Sequence, residues 1–487
     1  MKHILLVLPC AALLFGCPEE VEPGCEPDSV PQDTCSPAEL AAVERAGVWH
    51  GLAQDGNGGQ LVTVTSFHDP ANPKMEGRAT DLLDFEGRFF LRTATTGTAG
   101  RVEHRAFFGC RAPDPRTLQG TFQVCVDKVE RAKGTFEMKR IARLPGEEEA
   151  SGLTYVGEAR ITQGTPLDVV VRNGYAYVAS GPGGMNVFNV TDPANPVLEH
   201  QFNKADSNGN PDYFYDVWVH QDVLYVATRF NGMLYFDLAV SPIPSTELNR
   251  QPSPPEAIRS IFVDPASNRL LANSIDSGQV LIFNVANPRS PVLLGRFSAA
   301  DLGLTNYPHH SVLEGDRIYG AYGGLGLVAA SIVQPAVPTQ LGNAASPLEP
   351  AKNSHALAVA TFETAPWVFE ISEGWGGHVR ALDFTTPAAP VPAGEYATRP
   401  EVSANQVDRV GNRLYLAYHQ DGVRMLDIAS PAAPVLAGYF NAWSDTAATR
   451  GNFFYEGVTA VHAARDGSGY VYALESERGL IVLQEVL

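Results

Sequence analysis

The sequence predicts an all-β protein: a seven-bladed β-propeller closed between its two chain ends, preceded by a small antiparallel β-barrel or sandwich domain. Three observations carry this expectation. A unit of short strands recurs along residues 150–487 with the period of a propeller blade. The chain holds 45 glycines and 36 prolines, the residues that such units use at every turn. No unit shows the 3.6-residue apolar period of a helix, which excludes stacked helix pairs.

The unit is seen most plainly at 174–202, GYAYVASGPGGMNVFNVTDPANPVLEHQF. Strand-like runs at 175–179 and 185–190 flank a glycine turn, and a Pro corner at 191–196 leads into a third run. The pattern returns at 281–295 and 425–438. Each unit opens with a short apolar strand, and the residues just before these openings are Asp168, Asp216, Ser260, His310, His355, Gln406 and Gly457, spaced 44 to 51 residues apart. Seven openings predict seven blades. The last unit stops at 479–483 without an outer strand, and 153–161 reads as the missing piece. Pairing the two closes the ring and removes both exposed edges.

The segments VFNVTDP at 187–193, VLIFNV at 280–285, VRALDF at 379–384 and VRMLDI at 423–428 resemble the LVIVD-repeat family of bacterial exported β-propellers. The match at 234–238 is weaker, and 325–330 lacks the acid. The resemblance covers 150–487 and implies architecture. The family offers no catalytic residues to transfer.

Ahead of the propeller, residues 37–146 alternate apolar and polar side chains. A short helix is expected at 37–45, capped by Ser36, followed by strands near 48–51, 61–67, 88–92, 102–108, 118–126 and 134–141. Such a barrel can hold a small apolar ligand, but its aromatics read first as core. Residues 18–36 are rich in Pro and acid and form a tether.

The N-terminus reads as a targeting segment. Lys2 and His3 precede an apolar run from Ile4 to Leu14, too short to span a bilayer. The run ends in Leu14-Phe15-Gly16-Cys17, which resembles a bacterial lipobox, although Phe15 stands where a small residue is commoner. The resemblance implies residues 1–17 as a lipoprotein signal peptide and lipid on Cys17. It places the protein in the bacterial cell envelope, at the outer membrane or cell surface, without a spanning helix. Four cysteines remain beyond Cys17, an even count that reads as two disulfides in an exported chain. Of three connectivities, Cys25–Cys35 with Cys110–Cys125 is preferred. No Cys-x-x-Cys pair supports thiol redox chemistry or a cysteine zinc site.

The formal charge is −19, and such a surface repels phosphate backbones, which argues against nucleic acid as a partner. In a propeller the leading residue of each inner strand stands near one mouth of the channel. That ring would gather Asp168, Asp216, His310 and His355, with Gln406 and Glu456 nearby and Arg259 and His309 adjoining. Imidazoles and carboxylates converging on one axis are the ligand types a divalent metal takes. The alternative is a hydrated channel whose side chains bond to exposed strand ends. The loop from Asp206 through Asn208 and Asn210 to Asp212 alternates oxygens like the start of a calcium loop, but Pro211 and Val217 break that pattern. Trp375 and His378 mark a contact loop or a turn. No nucleophile elbow, zincin helix or dinucleotide fingerprint is present. The expected function is an envelope-anchored binding or scaffold module that takes a protein or small-molecule ligand on the propeller face. The alternative is a metal-dependent enzyme at the channel mouth.

Overall fold

The computed structural model describes residues 25, 37–69, 71–80, 82–84, 89–97, 100–300, 307–345 and 353–486. The expected signal peptide, Cys17, and the tether apart from Cys25 lie outside these residues. Among the described residues no helix is long and apolar enough to cross a membrane.

The first domain begins with a short helix, Pro37–Ala41, ending earlier than expected. Nine strands follow: β1 (Val48–Asp55), β2 (Gln60–Ser66), β3 (Lys74–Met75), β4 (Arg78–Ala79), β5 (Leu82–Asp84), β6 (Phe89–Thr96), β7 (Val102–Asp114), β8 (Thr117–Val126) and β9 (Val129–Ile141). They form one antiparallel sheet in the order β4-β3-β2-β1-β9-β8-β7-β6-β5. Strands β4 and β5 stand at opposite ends of that order, yet only residues 80 and 81 separate them. The sheet therefore curls round until its edges nearly meet, which selects the barrel over the sandwich. Its interior is filled by Trp49, Phe67, Phe89, Phe107, Phe122 and Phe136, with Phe107 and Phe136 edge to face at 5.3 Å. Aromatic packing takes the room that an apolar ligand would need.

Cys25 is joined to Cys125, with Cα atoms 5.9 Å apart, which corrects the preferred pairing of Cys25 with Cys35 and Cys110 with Cys125. The ladder between β7 and β8 sets Gly109 against Gly120 and His104 against Cys125. Cys110 thus lies about five residues along the ladder from Cys125, roughly 16 Å at strand rise, beyond the reach of one disulfide. Cys25 docks beside the turn from β8 to β9 instead, its N–H donating to Lys128 O at 2.7 Å.

The remainder forms seven four-stranded antiparallel sheets around an axis. The inner strands are Asp168–Arg172, Phe214–His220, Ile258–Asp264, His310–Glu314, Asn353–Phe362, Gln406–Val410 and Val458–Ala463, and they define blades 1 to 7. Leu153–Ala159 pairs antiparallel with Gly479–Glu485 and completes blade 7 from the other end of the propeller. Just before it, Ala150–Ser151 adds a fifth strand to blade 6 against Tyr439 and Phe440.

The repeated Pro corners are inter-blade joints. Tyr177 of blade 1 donates its hydroxyl to Pro242 O at 2.9 Å, and Tyr225 of blade 2 donates to Pro288 O at 2.6 Å. At Gly295 an added Cβ would stand 1.9 Å from Pro335 O of the next corner, so only glycine lets the blades close up there.

The barrel docks beside blades 5 and 6. Val48, Val64 and Ile141 share a core with Ala381, Leu416 and Trp443. His50 is fully buried at this interface: its Nδ1 donates to Glu401 O at 2.7 Å, and its ring lies 4.4 Å from that of Phe454. Arg140 pairs with Asp445 at 2.6 Å, and Arg424 pairs with Glu147. The barrel therefore grips the long connection from blade 6 to blade 7, whose other side faces the channel.

Candidate functional site

Two cavities open along the propeller axis from opposite faces, of about 640 Å³ and about 580 Å³. Asp168, Asp216, His310 and Gln406 border both and form the floor between them. The alternation of each strand turns its leading side chain towards the axis, and four of the predicted ring residues meet at this floor rather than at one mouth.

Their bonding favours the hydrated-channel reading. Neighbouring inner strands splay apart and do not pair, so side chains satisfy their backbone groups. Asp168 Oδ2 accepts from Val217 N–H at 3.0 Å, Gln406 Nε2 donates to Asp168 Oδ1, and Gln406 Oε1 accepts from Val461 N–H at 2.8 Å. Burial raises the Asp168 carboxyl to about 6, opposed in part by these bonds. Burial and the charge of Asp168 lift Asp216 well above the usual carboxylate range. Glu456 borders the larger cavity and binds its own loop, accepting from the N–H groups of Gly451, Asn452 and Phe453 at 2.7, 2.8 and 3.1 Å.

His355 lies in the larger cavity in a row the sequence did not reveal. Its Nδ1 donates to Asn405 O at 2.9 Å, so its Nε2 accepts from Arg259 Nη2 at 3.2 Å. The same Nε2 stands 3.9 Å from Glu373 Oε2, and Glu373 Oε1 stands 3.7 Å from His419 Nε2. Burial tends to raise Glu373, but His355 and His419 outweigh it and hold the carboxyl at about 2. Burial holds His355 below its ordinary value, opposed by Glu373 and assisted by Arg259. His309 is lowered to about 2 by burial and by His355. Tyr213, Tyr215, Tyr307, Phe453 and Tyr455 complete the aromatic wall.

The donor set does not fit a resident divalent metal. A metal would need the Nε2 lone pair of His355, which the Arg259 guanidinium already occupies. Among the described residues no group of three or more His, Cys, Asp or Glu side chains is arranged to hold one.

Glu373 and His419 were missed because neither leads an inner strand. Glu373 ends the second strand of blade 5, Ala365–Glu373. His419 sits in the turn after the second strand of blade 6, where Gly181 and Gly323 stand in blades 1 and 4. These three residues make equivalent bridges to the next inner strand, with φ of 35°, 52° and 55° for His419, Gly181 and Gly323. A histidine written over a glycine turn was the available signal.

The other candidates are local structure. Asp206 Oδ1 accepts from the N–H groups of Asn208 and Asn210 at 2.7 and 2.8 Å, so it caps its own turn. His378 Nδ1 meets Gly376 O at 2.9 Å and its Nε2 meets Glu395 Oε2 at 3.2 Å. Trp375 is half-buried on the same turn, and neither residue borders the axial cavities.

Among known proteins, the LVIVD repeat family model matches residues 163–204 and 403–442, which fall on blades 1 and 6. No curated protein sequence matches the chain. Solved structures similar to this chain include a designed protein and a β-propeller domain. The computationally designed Ika8 protein has TM-score 0.45 and 9% identity, covering 68% of this chain and all of its own. The WD40 β-propeller domain of Doa1 has TM-score 0.49 and 11% identity, covering 69% of this chain and 98% of its own. The strand pairing and the ring closure make residues 150–486 a seven-bladed β-propeller, two of whose blades match the LVIVD repeat.

Proposed function

We propose that the protein is a lipid-anchored binding module of the bacterial cell envelope that captures an extracellular or periplasmic ligand at the larger mouth of its propeller. The observation that carries this reading is an open cavity of about 640 Å³ with large aromatics left in water at its rim. Phe453 is 67% exposed and Tyr455 41% exposed. Exposed aromatics around a concave polar site are the usual signature of recognition. The lipobox at Cys17 and the acidic tether support the anchoring. The metal-dependent alternative loses its support with the Arg259–His355 contact.

The test is capture from cell-envelope extract by the immobilised wild type and by a Phe453→Ala/Tyr455→Ala variant. Loss of the captured species with an unchanged melting curve supports the reading, and equal capture by both overturns it. Anchoring is tested separately, by incorporation of labelled palmitate, which Cys17→Ala abolishes if that residue carries the lipid.

A further inference from the structure

We infer that the larger cavity binds a free aromatic α-amino acid, recognising its ammonium and carboxylate through an ion pair that the protein itself holds apart. This inference rests on the binding reading above and names the class of ligand.

Arg259 is the one Arg or Lys among the described residues lining the larger cavity, and Glu373 is one of its carboxylates, beside Asp168, Asp216, Glu456 and Glu477. Arg259 makes one hydrogen bond to a side chain, to His355, and lies over the Tyr215 ring at 5.3 Å. Among the described residues no carboxylate stands within 4 Å of it. Glu373, with only 16% of its side chain exposed, has the imidazoles of His355 and His419 beside it at 3.9 and 3.7 Å and no Arg or Lys among the described residues within 4 Å. A carboxylate this buried and held only at that distance can still take a closer cationic donor, and a guanidinium with most of its N–H groups free seeks an anion. The two would pair directly, but His355 stands between them, fixed by Asn405 O. A ligand carrying both charges completes both groups without burying net charge.

The surroundings fit the two ends separately. At the Glu373 end, His419 is 2% exposed and neither ring nitrogen has a hydrogen-bond partner. Its ring lies 5.3 Å from Tyr455. An ammonium there meets a carboxylate, an imidazole with no hydrogen-bond partner and an aromatic face. His419 also holds a positive φ that two sister blades give to glycine. Such strain persists where the surrounding structure enforces it, and it clusters at binding sites. At the Arg259 end, Tyr307 stacks on His309 at 4.5 Å with rings 4° from parallel, and Tyr213 lies 4.7 Å from Tyr215. These flat walls suit an aromatic side chain.

The test is isothermal titration of the full protein with L-phenylalanine and L-tryptophan, beside N-acetyl-L-phenylalanine, L-phenylalaninamide and glucose. The expected result is saturable binding of the free amino acids. Blocking either end should weaken it by roughly tenfold or more, the loss expected for one charged hydrogen-bonded contact. Glu373→Gln should remove the preference over the N-acetyl form, and Arg259→Gln the preference over the amide. The blocked ligands test the wild type directly, so the outcome does not depend on how the variants fold. Absence of binding by either amino acid overturns the inference, as does equal binding of the blocked forms. Glucose binding in place of the amino acids overturns it too, but leaves the cavity as a binding site. Failure of the capture experiment with the Phe453/Tyr455 variant is the distinct result that removes the site itself.

Discussion

The barrel and the propeller are both antiparallel sheets brought round on themselves, and they differ in what occupies the axis. The barrel closes tightly, and its axis is filled by a column of aromatics from Trp49 to Phe136. The propeller sets seven separate sheets around a wider axis, and there polar side chains line open space. Burial of large rings stabilises the first. Inter-blade packing stabilises the second, which leaves its centre free for function. The barrel's contribution to the site is indirect. His50 and Arg140 hold the connection from blade 6 to blade 7 from behind, while Phe453 and Tyr455 of that connection face the cavity.

The comparison breaks most severely at the ring closure. Truncation after residue 478 removes Gly479–Glu485 and strands the outer strand Leu153–Ala159. Calorimetry should then show loss of the cooperative propeller transition with the barrel transition retained; a single unchanged transition would refute the closure argument. The next effect sets a filled axis against an open one. Phe107→Ala in the barrel should cost about 3–5 kcal/mol, while Phe453→Ala at the cavity rim should stay within about 0.5 kcal/mol in urea unfolding. Comparable losses at both sites would erase the distinction. Smaller still is Gly295→Ala, where the new methyl meets Pro335 O. A loss of about 1–3 kcal/mol is expected for such overpacking, confined to the propeller transition.

The smallest effect concerns the joint between the domains and depends on pH. Burial lowers His50 from 6.5 to about 3, opposed by its hydrogen bond to Glu401 O and assisted by Arg399 and His419. A histidine kept neutral in the folded state contributes stability that is present above pH 6.5 and lost as the pH falls towards 3. Protection factors in residues 441–456, with exchange corrected for its intrinsic pH dependence, should therefore fall between pH 6.5 and 4. His50→Gln should flatten that dependence, and an unchanged slope would show that another group controls the joint.

Much of this architecture was legible because repetition averages out local ambiguity. Seven copies of a strand–turn–strand pattern fix blade number and closure even where single copies, such as 325–330, are poor. The floor residues Asp168, Asp216, His310 and Gln406 followed from their register in that repeat. The short strands β3 to β5 went unseen because two or three residues carry no measurable period. The cysteine pairing failed for a related reason: adjacency in sequence suggested Cys110 with Cys125, while the ladder sets them about five residues apart.

The sequence by itself determined the periodic features, namely the blades, their Pro corners and the ring of leading side chains, because these depend on alternation and spacing along one chain. Only the tertiary structure decided which side chains from different blades confront one another. Arg259, His355, Glu373 and His419 come from blades 3, 5, 5 and 6, and no local pattern links a cation to a carboxylate more than a hundred residues away. Ring closure brings them to one wall, and His355 keeps the charges apart.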